Sequence, residues 1–233
     1  MEDSSPRDPG WTRPFAVALL ALLGGGVLSA VVAAAGYPGG TWMDRGTVGH
    51  SFWANFLCDI ARDPALDGRP HPAAAWGRAA EWVLVLALGL FFCIAPALVQ
   101  PARRARTIRL LGVVAMLGLL LVPVTEKVPH ALALIAGAGP GFAATLLLLR
   151  GLRHRLVLAW LGVLSLGLSG LELALFLGFH ERFGATAVPL AVPAAQRLAV
   201  MAAIAWMGGC AIAVLRQASG TAPGSSTGSP RAT

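Results

Sequence analysis

AEWVLVLALGLFFCIAPALV, residues 80–99, decides the fold. It is twenty residues long and almost wholly apolar, the length an α-helix needs to cross the hydrocarbon of a bilayer. A transmembrane β-barrel would instead show ten-residue segments of alternating polarity, and this run does not alternate. Working outward, five more runs of the same kind follow: Pro14–Gly36, Ile108–Val124, His130–Leu149, Leu156–Phe179 and Pro193–Leu215. The expected fold class is therefore all-α, a polytopic membrane bundle of six transmembrane helices.

Composition agrees. The chain of 233 residues is 56% hydrophobic and only 12% charged, where a soluble domain holds about 25% charged residues. Its net charge of +7 raises the question of nucleic acid. Seventeen of the eighteen basic residues are Arg, and they cluster in short loops beside apolar runs, with no basic face interleaved with aromatics. That pattern excludes nucleic acid as a partner and points to topology. Arg103, Arg104, Arg106 and Arg109 follow the second span, and Arg150, Arg153 and Arg155 follow the fourth. The positive-inside rule makes this side cytoplasmic, with both termini on it. The expected location is a cell membrane, as in a bacterial inner membrane, with membrane lipids as partners.

The first span could be read as a signal peptide ending in VVAAAG, residues 31–36. The residues before it hold Glu2, Asp3 and Asp8 beside Arg7 and Arg13, a poor positive leader, so a retained helix is expected. Residues 1–216 form one membrane domain on this reading. The Gly/Ser/Pro-rich segment 217–233 is expected to be a disordered cytoplasmic tail. Three cysteines without paired spacing give neither a disulfide framework nor a CxxC metal site.

The opposite side holds the titratable chemistry. Four of five histidines (His50, His71, His130, His180) and eight of eleven acids fall on or near it. Its loop over residues 37–78 is long for a connection between neighbouring spans, and long structured loops are often functional. Within it SFWANFLCDI, residues 51–60, reads as a short interfacial helix. Ser51, Asn55 and Asp59 would share one face and the aromatics would turn to lipid.

In the fifth span Ser165, Ser169, Glu172 and His180 follow a helical stripe. A carboxylate at the depth of Glu172 costs about 2.5–3.5 kcal/mol on insertion scales, so it needs an interior position, a proton or a partner. His130 opens the fourth span and His180 closes the fifth, which puts them at one depth, within reach of Asp59, His71, Glu126 and Gln196. Two or three imidazoles with a carboxylate could hold zinc, which lowers the pKa of bound water to about 7. No HxxxH or HExxH spacing is present. GAGPG, residues 137–141, is either a mid-depth break, as in transporters, or a tight packing face. Gly24–Gly26 reads as a packing face.

Phe52, Asn55, Phe56, Leu57, Asp59 and Ile60 form an F-x-x-N-F-L-x-D-[LI] core. With His130 at the head of the fourth helix, and Gln196, Arg197 and Trp206 in the last, they resemble a large group of six-span bacterial membrane proteins classed as a domain of unknown function. The resemblance implies a six-helix fold and no established activity. A more distant analogy runs to alkaline-ceramidase-like and progestin-receptor-like membrane hydrolases, which gather His, Asp and Ser around zinc. This chain lacks their HxxxH pattern and one of their seven spans.

Three functions are carried forward. The first is a metal-dependent hydrolase of lipid or lipid-linked substrates. His130, His180 and either His71 or Asp59 would hold zinc, Glu172 or Asp59 would act as general base, and Ser51, Asn55 and Gln196 would line the pocket. The second is a non-catalytic protein that binds lipid or ligand, or scaffolds a partner. The third is a transporter coupled to protonation of Glu172. Oligomeric state is not written in the sequence.

Overall fold

The computed structural model describes residues 10–125, 127–183 and 189–220, with the backbone alone at positions 127, 128, 130, 131, 177, 179–183 and 220. Six helices among the described residues are long and apolar enough to cross a membrane. They are α1 (Thr12–Ala35), α2 (Ala74–Ile94), α3 (Ala102–Leu119), α4 (Lys127–Leu152), α5 (Leu156–Phe183) and α6 (Ala191–Gly220). A 3₁₀ turn at Ala95–Leu98 prolongs α2, and another at Val122–Val124 prolongs α3. Each helix packs on the next and α6 returns to α1, so the six close a ring, and α2 also reaches α6 across the interior.

The apolar core occupies one end of this ring. It takes Ala16, Leu19 and Leu23 from the first half of α1 and Phe91, Phe92 and Ile94 from the last half of α2. Ile108 enters from the start of α3, Ala144, Leu148 and Leu152 from the end of α4, and Trp206, Met207 and Cys210 from the second half of α6. All of these lie toward the end that carries the Arg-rich loops. Phe91 is the centre, with its ring 4.9 Å from that of Trp206 and 5.0 Å from that of Phe92. Lipid tails are as apolar as these side chains, so burial from water does not drive such contacts; close van der Waals packing does. Glycines permit it. Phe92 fills the space where Gly112 lacks a side chain, and a methyl group at Gly118 would lie 2.7 Å from the backbone nitrogen of Gly137.

GAGPG is therefore a crossing point of α3 and α4. The helix runs unbroken through Pro140, with Gly137 against Leu119 and Ala115, and no mid-depth break opens there. Of Gly24–Gly26, only Gly26 packs, against Val83 and Leu84 of α2; Gly24 and Gly25 meet nothing. Helix α6 continues through Gly220, four residues into the segment read as tail, and residues 221–233 lie outside the described residues.

The other end is closed over α1 and α2 by residues 37–73, which form a folded cap. Ala33 of α1 packs with Tyr37, Ile60 and Ala65 of the cap in a second small apolar cluster. Gly77 in the first turn of α2 lies directly under the Ile60 carbonyl, so any side chain there would strike the cap backbone. Helix α2 thus begins at Ala74, six residues ahead of the run that marks it in the sequence. The segment 51–60 is a turn followed by a 3₁₀ helix at Leu57–Ala61, in place of the interfacial helix its spacing suggests. The reason is local. The side-chain oxygens of Asn55 and Asp59 accept the backbone N–H groups of Ser51 (2.9 Å) and Phe56 (2.8 Å), and such bonds compete with helical ones.

Candidate functional site

The cap is built around YPGG, residues 37–40. Gly40 has φ +86°, a left-handed conformation that favours glycine, and a Cβ there would lie 2.6 Å from the Asp67 nitrogen. This turn aims the Gly40 carbonyl inward, where it accepts the Asn55 side-chain amide at 2.8 Å and the Tyr37 hydroxyl at 3.3 Å. The Tyr37 oxygen in turn accepts the Leu66 N–H at 3.2 Å. Burial raises the Tyr37 phenol above its ordinary value.

Asp59 sits beneath this turn and is 0% exposed. One carboxylate oxygen accepts the Trp42 indole N–H at 3.1 Å; the other accepts the Phe56 N–H and, at 3.3 Å, the Asn55 amide. Burial pushes its carboxyl up from the ordinary value, and those N–H donors with the nearby Arg62 charge work against the rise. Ser51, through its backbone N–H, Asn55 and Asp59 are thus linked by hydrogen bonds inside a turn and not as the open face of a helix.

Two consecutive residues of α6 reach up into this cluster. Arg197 donates from Nε to the Phe52 carbonyl at 3.1 Å and from a terminal nitrogen to the Asn55 carbonyl at 3.3 Å. The same terminal nitrogen lies 3.0 Å from His50 Nε2. That contact needs a neutral His50 with its lone pair at Nε2. Burial first, and then the Arg197 charge, lower the His50 pKa to about 4, which keeps the ring neutral. Gln196 accepts the Leu57 N–H at 2.7 Å, and its side chain lies close enough to the Glu172 carboxylate of α5 to interact with it. One continuous chain of polar contacts therefore runs from Glu172 through Gln196 to the cap.

His71 lies on the far side of the cap, 1% exposed. Its Nδ1 faces the Arg62 carbonyl at 3.0 Å and its Nε2 faces the Ala33 carbonyl at 3.2 Å. The last carbonyls of a helix have no partner within it. Val32 and Ala34 are met by the N–H groups of Gly36 and Tyr37, and His71 meets the one between them. Both ring nitrogens are engaged with backbone oxygens, and the ring stacks edge-on to Tyr37 at 5.2 Å. The Tyr37–His71 pair ties the end of the cap to the end of α1.

The structure thus brings Ser51, Asn55, Asp59, Gln196 and Glu172 into one network and leaves His71 in a separate one. His130 falls in the first turn of α4 and His180 in the last turn of α5, both toward the cap end; their side chains, and all of Glu126, lie outside the described residues. Among the described residues no three His, Cys, Asp or Glu side chains gather in a way that could hold a metal ion. Sequence reasoning gave no role to His50, Trp42 and Tyr37, and assigned none to Arg197. Arg197 had a signal: it is a lone charge near the head of an apolar span, the same anomaly that marks Glu172. Trp42 had none, since its partner Asp59 is seventeen residues away.

No protein-family model, no curated protein and no solved structure matches this chain.

Proposed function

We propose that the protein binds an amphipathic, lipid-like molecule beside α5, beneath the cap, without transforming it. The observation that carries this reading is the Glu172–Gln196 pair, a polar contact at spanning depth on the most thinly packed helix of the ring. Near its start α5 is tight, with Gly162 against Leu149 and Trp206, but around Gly167, Gly170 and Gly178 there is open space among the described residues. A molecule with an apolar body and a polar end fits such a place, since acyl chains fill the space and the polar end meets Glu172. The cap chemistry supports binding over catalysis. Asp59 and Asn55 are each taken up by contacts that hold the cap together. The test is lipid extraction and mass spectrometry of purified protein. A defined lipid should co-purify near one per chain, and Glu172→Gln should change its headgroup or lower its occupancy. An unchanged lipid profile in the variant would overturn the reading.

A second reading is the zinc-dependent hydrolase, favoured by the placement of His130 and His180 at the same end of adjacent helices. In it these two histidines would hold the metal and Glu172 would serve as base. Metal analysis decides between the two: stoichiometric zinc, with stability lost to a chelator, would put hydrolysis in place of simple binding.

A further inference from the structure

The end of the ring opposite the cap carries charge with no counterpart among the described residues. Arg13, Arg103, Arg104, Arg106, Arg109, Arg150, Arg153, Arg155 and Arg216 all belong to it. Among the described residues the only ion pair is Arg69–Asp67, which lies in the cap. None of the nine arginines is therefore neutralised by a described carboxylate. Topology alone needs only an excess of positive charge somewhere in these loops. The fold does more, because it brings the Arg-rich head of α3 to the Arg-rich α4–α5 turn. Val99, three residues before the start of α3, fills the place a side chain at Gly151 would take. The turn Ala95–Leu98 likewise packs on α4.

This contact sets Arg103 and Arg104 at the head of α3 beside Arg150, Arg153 and Arg155 at the α4–α5 turn. Arg103, Arg150 and Arg153 are exposed, and Arg104 and Arg155 half-exposed. The bonds these side chains make among the described residues leave most of their donors unused. Arg104 donates to the Gln100 carbonyl at 3.3 Å, and Arg153 to His154 at 3.1 Å. Five guanidinium groups on one floor repel each other unless anions lie among them. The guanidinium fork matches the paired oxygens of a phosphate. At the rim of spanning helices, the phosphates at the right depth are those of lipid headgroups.

We infer that the floor formed by Arg103, Arg104, Arg150, Arg153 and Arg155 binds the phosphate of an anionic phospholipid. This site is separate from the one beneath the cap and does not depend on it. The test is the thermal unfolding of the full chain in neutral detergent micelles doped with phosphatidylglycerol, with phosphatidylcholine, or with inorganic phosphate at the same phosphate concentration. Phosphatidylglycerol should raise the unfolding temperature clearly above the other two. The triple variant R103Q/R104Q/R153Q should weaken that preference by on the order of a hundredfold in apparent affinity. Should the variant fold poorly, the wild-type chain at about 1 M salt supplies the same test, because a screening length of ~3 Å should erase the preference. Equal stabilisation by the two lipids, a preference that survives both the triple variant and high salt, or an equal effect of inorganic phosphate would each overturn the proposal, the last in favour of a free-anion site.

Discussion

The two ends of the helix ring are held together in opposite ways. At the Arg-rich end, side chains from five helices interlock around Phe91, and scarcely a polar atom takes part. At the cap end, the buried polar residues Asn55, Asp59, His71 and, from α6, Arg197 grip backbone groups of α1 and of the cap itself. The first end is a matter of shape and can tolerate exchange among residues of similar volume. The second is a matter of directed hydrogen bonds, and each lost donor strands an acceptor away from water. The spanning helices are thus held by packing and the cap by satisfying the backbone.

The most severe way to probe this contrast is Phe91→Ala. It should cost about 4 kcal/mol of bundle stability, read by unfolding in a denaturing detergent, while protease sensitivity of residues 37–73 stays close to that of wild type. If the cap loosens in step with the bundle, the two ends are one cooperative unit and the contrast fails. The reciprocal change, Arg197→Met, removes a buried donor to two carbonyls and should cost about 3 kcal/mol, felt as protease cleavage within the cap and little change in bundle unfolding. Gly40→Ala sharpens the comparison further. It forces an alanine into a left-handed conformation against Asp67, at a cost of about 1–2 kcal/mol, again confined to cap proteolysis.

The smallest effect concerns pH. The folded-state pKa of His50 is lowered from 6.5 to about 4. Between those values the unfolded cap takes up a proton that the folded cap refuses, so cap stability should fall as pH drops from 6.5 toward 4. The carboxyl of Asp59, raised by burial, acts in the opposite sense, since its contribution is present at low pH and lost as pH rises through its raised value. His50→Asn should therefore flatten or reverse the acid-induced rise in cap proteolysis. A profile that matches wild type would show that His50 does not set the pH dependence of the cap.

Much of the spanning half was legible in the sequence. All six helices follow the apolar runs to within a few residues at most ends, because length and hydropathy alone define a span. The start of α2 was missed because its first turns carry Ala, Gly and Arg in place of large apolar residues, and the small ones are there to let the cap approach at Gly77. The cap was legible only as a composition. Ser51, Asn55 and Asp59 were singled out by spacing, yet what joins them is side-chain bonding to backbone N–H groups, which a helical period does not encode. His71 was placed among candidate metal ligands because an imidazole near acids on one side of a membrane invites that reading. The carbonyl it meets, Ala33, is thirty-eight residues away, and no local pattern announces such a pairing.

Gln196 and Arg197 are neighbours on a helix whose lower half, from Trp206 to Val214, is wedged into the Phe91 core. Successive residues of an α-helix are turned by about 100°, so α6 is fixed in azimuth at both extremities, like a shaft keyed at two points. Inserting one residue between Arg197 and Trp206 would set one key wrong by that angle, and either the cap would let go or the aromatic stack would. The span between them therefore tolerates changes of side chain far better than changes of length.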